Sequence, residues 1–210
     1  MTLAARCFPA IRPNGAARRP ARCLAVLLGA IALALSSLPA SAAWDLQQLM
    51  DALARNKAGR ASFVETKYIA MLDQPLESSG ELLYTAPDRL EKRTLTPAAE
   101  SMLVNGDELL IERGRQKLRL QLQSYPELAA LIESMRGTLA GDRKALERNF
   151  RLSLAGPAEH WTLQLLPLDE RMLALVRRIQ MTGVQEQLTG VEITQADGDR
   201  SIMRIENRPR

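Results

Sequence analysis

Histidine and cysteine are nearly missing from this chain of 210 residues, which has one histidine, His160, and two cysteines, Cys7 and Cys23. A Ser-His-Asp triad would have to use His160, and an imidazole-based metal site would normally want a second histidine. His160 sits between Glu159 and Trp161, just after Gly156-Pro157, where a solvated loop or strand-edge role explains it. The chain also lacks a G-x-S-x-G elbow, a P-loop and a G-x-G-x-x-G turn. Its adjacent carboxylates, Asp107-Glu108 and Asp169-Glu170, fall at turn-like positions. These absences argue for a binding module rather than an enzyme, with no cofactor and no metal.

Long hydrophobic runs are scarce as well. Leu24 to Leu35 is an apolar run of about twelve residues, well short of the roughly 20 needed to span a bilayer. It follows Arg6, Arg12, Arg18, Arg19 and Arg22, with no acidic residue among them, and precedes Ser36-Ser37-Leu38-Pro39 and Ala40-Ser41-Ala42-Ala43. Positive charge, apolar core and small-residue site in that order predict a secretory signal peptide cut after Ala42 or Ala43. Cys23 precedes the run, so a lipoprotein signal is not expected, and Arg18-Arg19 is only a weak twin-arginine pattern. The expected organisation is a leader over 1–43 and a single domain over 44–210, located in the periplasm. Both cysteines leave with the leader, which removes any disulfide, thiol nucleophile or thiolate metal site.

The leader also carries the chain's basic excess. Of 28 Lys and Arg residues five lie in it, leaving 23 against 24 acidic residues. A mature net charge of −1 gives no support for nucleic-acid binding. The local cluster Arg113, Arg115, Lys117 and Arg119 alternates with leucines, as on the wet face of one strand, although it could also dock an acidic partner.

What remains is patterned. Asp45 with Gln48 predicts a capping box, and Leu46, Leu49, Met50 and Leu53 share a helix face that Gly59 would end. From Arg60 the period switches to two. Strands are expected over 62–72 and 80–86, then to Leu95, where Pro97 stops them. Met102 to Val104 and Glu108 to Glu112 flank Asn105-Gly106, a hairpin signal, and Gly114 turns the chain into 117–122. Ser124-Tyr125-Pro126-Glu127 predicts a helix start with Ser124 as cap. Its apolar stripe is Leu128, Leu131, Ile132 and Met135, and Gly137 would end it. Gly141-Asp142 opens a short helix to about Arg148. Strands resume over 150–154, 161–165, 176–182, 188–195 and 200–206.

About ten strands in hairpin-like succession, with a leading helix and a helical insert, predict a mainly β fold with helices (α+β). Short links favour antiparallel neighbours, and a large antiparallel sheet curls into a sandwich, barrel or half-barrel. A curved sheet with helices over its concave side is expected. Leu118, Leu120 and Leu122, with Phe150, Leu152 and Leu154 and with Trp161, Leu163 and Leu165, supply one apolar face. Packed core and lipid cavity use the same residues, and periodicity does not separate them.

Phe63-Val64-Glu65-Thr66-Lys67, then Pro75 to Tyr84, then Ala86-Pro87-Asp88-Arg89-Leu90 resemble the outer-membrane lipoprotein carrier family LolA. Val104 to Leu109 resembles its next hairpin. Leu139-Ala140-Gly141-Asp142, Trp161-x-Leu163-x-Leu165-x-Pro167 and Gly198-Asp199 look like a divergent branch linked to polyene and acyl-lipid systems. The resemblance covers 44–206. It implies an incomplete antiparallel β-barrel with a helical lid over a hydrophobic cavity, and a monomeric carrier without cofactor. The implied cargo is a lipoprotein or acyl lipid, received from an inner-membrane exporter and passed to an outer-membrane acceptor. A lipid or lipoprotein sensor on the same fold is the alternative. By the period of two and the family's lid position, the expected cavity lining is Leu82, Tyr84, Leu118, Leu120, Leu122, Phe150, Leu152, Trp161 and Leu163, with Leu131 and Met135 from the lid. The family's lid-fastening arginine falls here at Ala86, so lid closure must use other contacts. The last expected strand ends close to Arg210 without the C-terminal extension of the best-known carriers, which makes a specialised lipid cargo as plausible as a lipoprotein.

Overall fold

Asp45 starts the first helix as expected. In the computed structural model, which describes residues 44–207, its carboxylate accepts from the Gln48 N–H while the Gln48 side chain accepts from the Asp45 N–H, closing the capping box. The leader, both cysteines and the cleavage site lie outside the described residues. Helix α1 runs Leu46–Leu53 and buries Leu49, Met50, Ala52 and Leu53. It ends before Gly59, because β1 already begins at Ala58. Gly59 is therefore a strand residue, not a helix stop.

Eleven strands follow: β1 Ala58–Tyr68, β2 Leu76–Thr85, β3 Arg89–Thr96, β4 Glu100–Asn105, β5 Glu108–Arg113, β6 Gln116–Gln121, β7 Phe150–Ala155, β8 Trp161–Pro167, β9 Val176–Val184, β10 Gln187–Gln195 and β11 Arg200–Asn207. They form one sheet in the order β6-β5-β4-β3-β2-β1-β11-β10-β9-β8-β7. Every pairing is antiparallel, and every pairing but β1 with β11 joins neighbours in sequence. The sheet does not close: β6 and β7 are its two edges. The fold is mainly β with helices, as the alternation predicts, and its one open antiparallel sheet agrees with the incomplete barrel that the family resemblance implies.

The chain passes from one edge to the other through its helices. A 3-10 turn, Leu122–Ser124, leads into α2, Pro126–Ala140, and then α3, Arg143–Asn149. Leu122 thus sits past the end of β6 rather than on it. Tyr125, not Ser124, is the N-cap of α2 and makes no side-chain capping bond. Pro126 occupies the first turn, where its missing N–H costs nothing. The helix continues through Gly137 to a left-handed Gly141. Gly137 is a packing residue: a Cβ there would stand 2.8 Å from Leu146 Cδ2, so its absence lets α2 and α3 approach. A short helix α4, Glu170–Leu173, is capped by Asp169, where the sequence reads only as a turn. None of the described helices is long and apolar enough to cross a membrane.

Two apolar clusters hold the fold. The larger joins α1, α3 and α4 to β1 and β7–β11 through Leu49, Leu146, Met172, Ala61, Phe150, Leu163, Ile179, Val191 and Ile205. The smaller joins the 3-10 turn to β4 and β5 through Leu122, Val104 and Leu109. Such burial stabilises by about 25 cal/mol per Å² of apolar surface, and the larger cluster dominates.

Candidate functional site

Strand register places one row of residues across the inner face of β6 to β1: Leu118, Ile111, Met102, Lys92, Leu82 and Ala61. A parallel row two residues along is Leu120, Leu109, Val104, Leu90 and Tyr84. Leu128, Ala129 and Ile132 of helix α2 pack against a cluster that draws on both rows, with Leu90, Val104, Leu109 and Leu120 from one and Met102 and Ile111 from the other. In the other row Leu118 is 51% exposed, and Leu82, Met102 and Ile111 are half-buried. The sheet therefore presents a partly uncovered apolar strip.

The helix adds to that strip. The residues that α2 buries are small or polar, Ser134, Gly137 and Thr138. Ser134 donates to the Leu131 carbonyl and Thr138 to the Ser134 carbonyl, which satisfies their hydroxyls within the helix. Its apolar side chains stay half-buried and divide between the two clusters: Leu128 and Ile132 pack on the smaller, Leu131, Met135 and Leu139 on the larger. The stripe straddles the gap between the clusters.

Of the cavity residues expected from sequence, Phe150, Trp161 and Leu163 are buried in the larger cluster, with Leu82, Leu131, Met135 and Leu152 half-buried against it. Leu122 is buried in the smaller cluster and Leu120 packs beside it. Tyr84 is buried, and its hydroxyl has no hydrogen-bond partner among the described residues. Burial raises its pKa, and the nearby Asp88 charge adds to the rise.

Sequence reasoning missed a polar node in the middle of this face. Glu65 is 5% exposed and pairs in register with Ser78 on β2 and Met203 on β11. Its Oε1 accepts from Ser201 Oγ at 2.6 Å, its Oε2 accepts from Lys92 Nζ at 2.5 Å, and Ser78 Oγ lies 3.4 Å from Oε2. Lys67 stands 3.8 Å away. Burial pushes the Glu65 carboxyl up, but the bonds from Lys92 and Ser201 and the two lysine charges outweigh it, and the pKa lies below 4.5. Lys92 Nζ also lies 4.9 Å from the Phe63 ring centroid, within cation–π range. The signal was available: Phe63, Glu65 and Lys67 alternate, so a charge falls at an inward position.

The lid is fastened from its own side. Arg136 of α2 donates from Nη1 to the Gly106 carbonyl, at the β4–β5 turn, at 2.7 Å, and from Nη2 to Glu133 at 2.9 Å. Depressions of about 390 and 380 Å³ flank Arg136. Their linings are rich in charge, and of the expected cavity residues only Leu122 touches them. Lys117 and Arg119 pair with Glu112 and Glu108 across β5–β6, and Arg113 with Glu100. That basic cluster is largely neutralised in place. His160 is exposed in the β7–β8 turn region. Among the described residues no three His, Cys, Asp or Glu side chains converge as a metal site would need.

A family model described as outer membrane lipoprotein carrier protein LolA-like matches residues 38–204. Among curated proteins none matches the chain. Among solved structures, a LolA superfamily protein from Nitrosomonas europaea is 11% identical, with a TM-score of 0.43 over 80% of this chain and 96% of that one. The MucA/MucB complex of Pseudomonas aeruginosa gives 13% identity and a TM-score of 0.43, over 80% of this chain and 59% of the other. A putative outer membrane lipoprotein-sorting protein domain from Vibrio parahaemolyticus gives 10% and 0.39, over 78% and 90%.

Proposed function

The chain belongs to the outer membrane lipoprotein carrier protein LolA-like family, and on that premise we propose that it is a periplasmic carrier for an acylated or lipid-like cargo. The observation that carries the reading is the apolar stripe of α2, which straddles two clusters half-buried instead of sealing either. An acyl chain laid along Leu82, Met102, Ile111 and Leu118, beneath Leu131 and Met135, would cover what the fold leaves open. Each methylene removed from water contributes about 0.8 kcal/mol, so a strip of this kind holds a chain without any bond-making. The leader-like N-terminus supports export. Cargo would arrive from an inner-membrane exporter and leave for an outer-membrane acceptor, with the protein working as a monomer and not as an enzyme.

The test is gentle purification from periplasm, solvent extraction and mass spectrometry. Stoichiometric lipid, or saturable uptake of a hydrophobic probe, is the expected result. Absence of both would overturn the reading. A stable complex with the periplasmic part of a signalling protein, recovered in place of transient contact with an exporter, would favour a sensor instead. His160→Ala should leave cellular function intact.

A further inference from the structure

The inner face has an acceptor for more than an apolar tail. Lys92 lies in the half-open row, between Met102 of β4 and Leu82 of β2, and its side chain is 24% exposed. One Nζ proton goes to Glu65. The other two have no protein acceptor among the described residues. Glu65, by contrast, is fully engaged by Ser201, Lys92 and Ser78. Lys67, inward by the same alternation and half exposed, adds a second cation to this one anion. The node as a whole carries a surplus positive charge on an otherwise apolar strip. The other charges on this face, Glu100 and Arg113, pair with each other.

A buried ion pair is weak evidence for stability, because desolvation offsets most of its attraction. An apolar pair of similar volume would fill the same space. What the pair adds is an ammonium group fixed on a ring face and an anchoring carboxylate, shielded from bulk water and presenting spare donors. In such a place a charge-assisted bond to an oxyanion is stronger than on an open surface.

We propose that Lys92, supported by Lys67, is a head-group subsite for the acidic end, a carboxylate or a phosphate, of an amphiphile whose tail runs over Met102, Ile111 and Leu118. This rests on the carrier reading and narrows its cargo to amphiphiles with an anionic terminus. From β3 to β6 the tail crosses three strand spacings of about 4.8 Å each, so the row has room for an extended chain.

The experiment is displacement of Nile red from the full chain by palmitate, hexadecyl phosphate and the neutral methyl palmitate, with sodium acetate and inorganic phosphate as tailless anions. Palmitate or hexadecyl phosphate should displace the probe at concentrations at least about tenfold below methyl palmitate. The preference of acid over ester should vanish in Lys92→Met and persist in Lys92→Arg. Should Lys92→Met fail to fold on a thermal melt, the wild-type comparison of acid with ester decides alone. Equal binding of acid and ester, or a preference that survives Lys92→Met, overturns the head-group subsite and leaves the carrier reading standing. Tailless anions that compete as well as palmitate would mark a free-anion site and also overturn it. If no amphiphile displaces or binds, both readings fall together.

Discussion

The indole of Trp161 occupies the space that a side chain at position 183 would need. The two residues are register partners on β8 and β9, and a Cβ on Gly183 would stand 2.1 Å from Trp161 Cζ2 and 2.3 Å from the Gln187 carbonyl oxygen. The ring is held there by its Nε1–H, which donates to the Gln185 carbonyl at 2.8 Å. Gly183→Ala should therefore destabilise the protein by about 1–3 kcal/mol through overpacking. Urea denaturation checks it, and an unchanged midpoint would refute the close packing.

Two leucines on the inner face should respond in opposite ways. Leu163 is fully buried, so Leu163→Ala should cost about 2–5 kcal/mol. Leu118 is half exposed, so Leu118→Gln should cost under about 1 kcal/mol while weakening uptake of a hydrophobic probe several-fold. Thermal melts and probe titrations on the same samples separate the two effects.

Glu65 makes stability depend on acidity. Its folded pKa lies below the unfolded value of 4.5, so its contribution is present above that value and is lost as pH falls through the lower folded one. The wild type should lose stability more steeply than Glu65→Gln as the pH falls below 4.5. Denaturant titrations across that range provide the measurement, and parallel curves would contradict the assignment.

Tyr84 offers a substitution without penalty. Its buried hydroxyl has no hydrogen-bond partner among the described residues, and desolvating an unpaired hydroxyl is unfavourable. Tyr84→Phe should leave stability unchanged or raise it by up to about 1 kcal/mol. A clear loss on calorimetry would show that the hydroxyl is bonded.

Arg136 ties α2 to the β4–β5 turn. Arg136→Ala removes the bond to Gly106 and should lower hydrogen-exchange protection across 126–140 while sparing 46–53. Equal loss in both helices would mean that the arginine supports the whole fold rather than the lid.

Local chemistry was legible in the chain where one residue type has one use. Asp45 with Gln48 could only cap a helix, and Gly114 turns as read. The hairpin at Asn105-Gly106 is displaced by one, since Asn105 pairs with Glu108 and the loop is Gly106-Asp107. Glycine misled where its role was tertiary. Gly59 and Gly137 read as helix stops because a sequence does not show the strand or the Leu146 side chain that lies against them. The site was half legible for a similar reason. Alternation puts Leu118 and Leu120 on one face, yet only the path of α2 decides that the second is covered and the first is not. Glu65 and Lys92 stand on different strands and are not register neighbours, since Glu65 faces Ser78 while Lys92 faces Leu82, so only the reach of the lysine side chain in the folded sheet brings them together.

The pairing of β1 with β11 bears on how the chain comes to be assembled. All other strand contacts are hairpins that can close locally and early, within β1–β6 and within β7–β11. The clasp between these two meanders joins residues 136 positions apart in Glu65 and Ser201, and long loop closure is slow relative to hairpin formation. Its second half is the last of the eleven described strands to emerge from a ribosome. The chain thus carries its own delay, because Glu65 on the first strand waits for its Ser201 partner until β11 arrives.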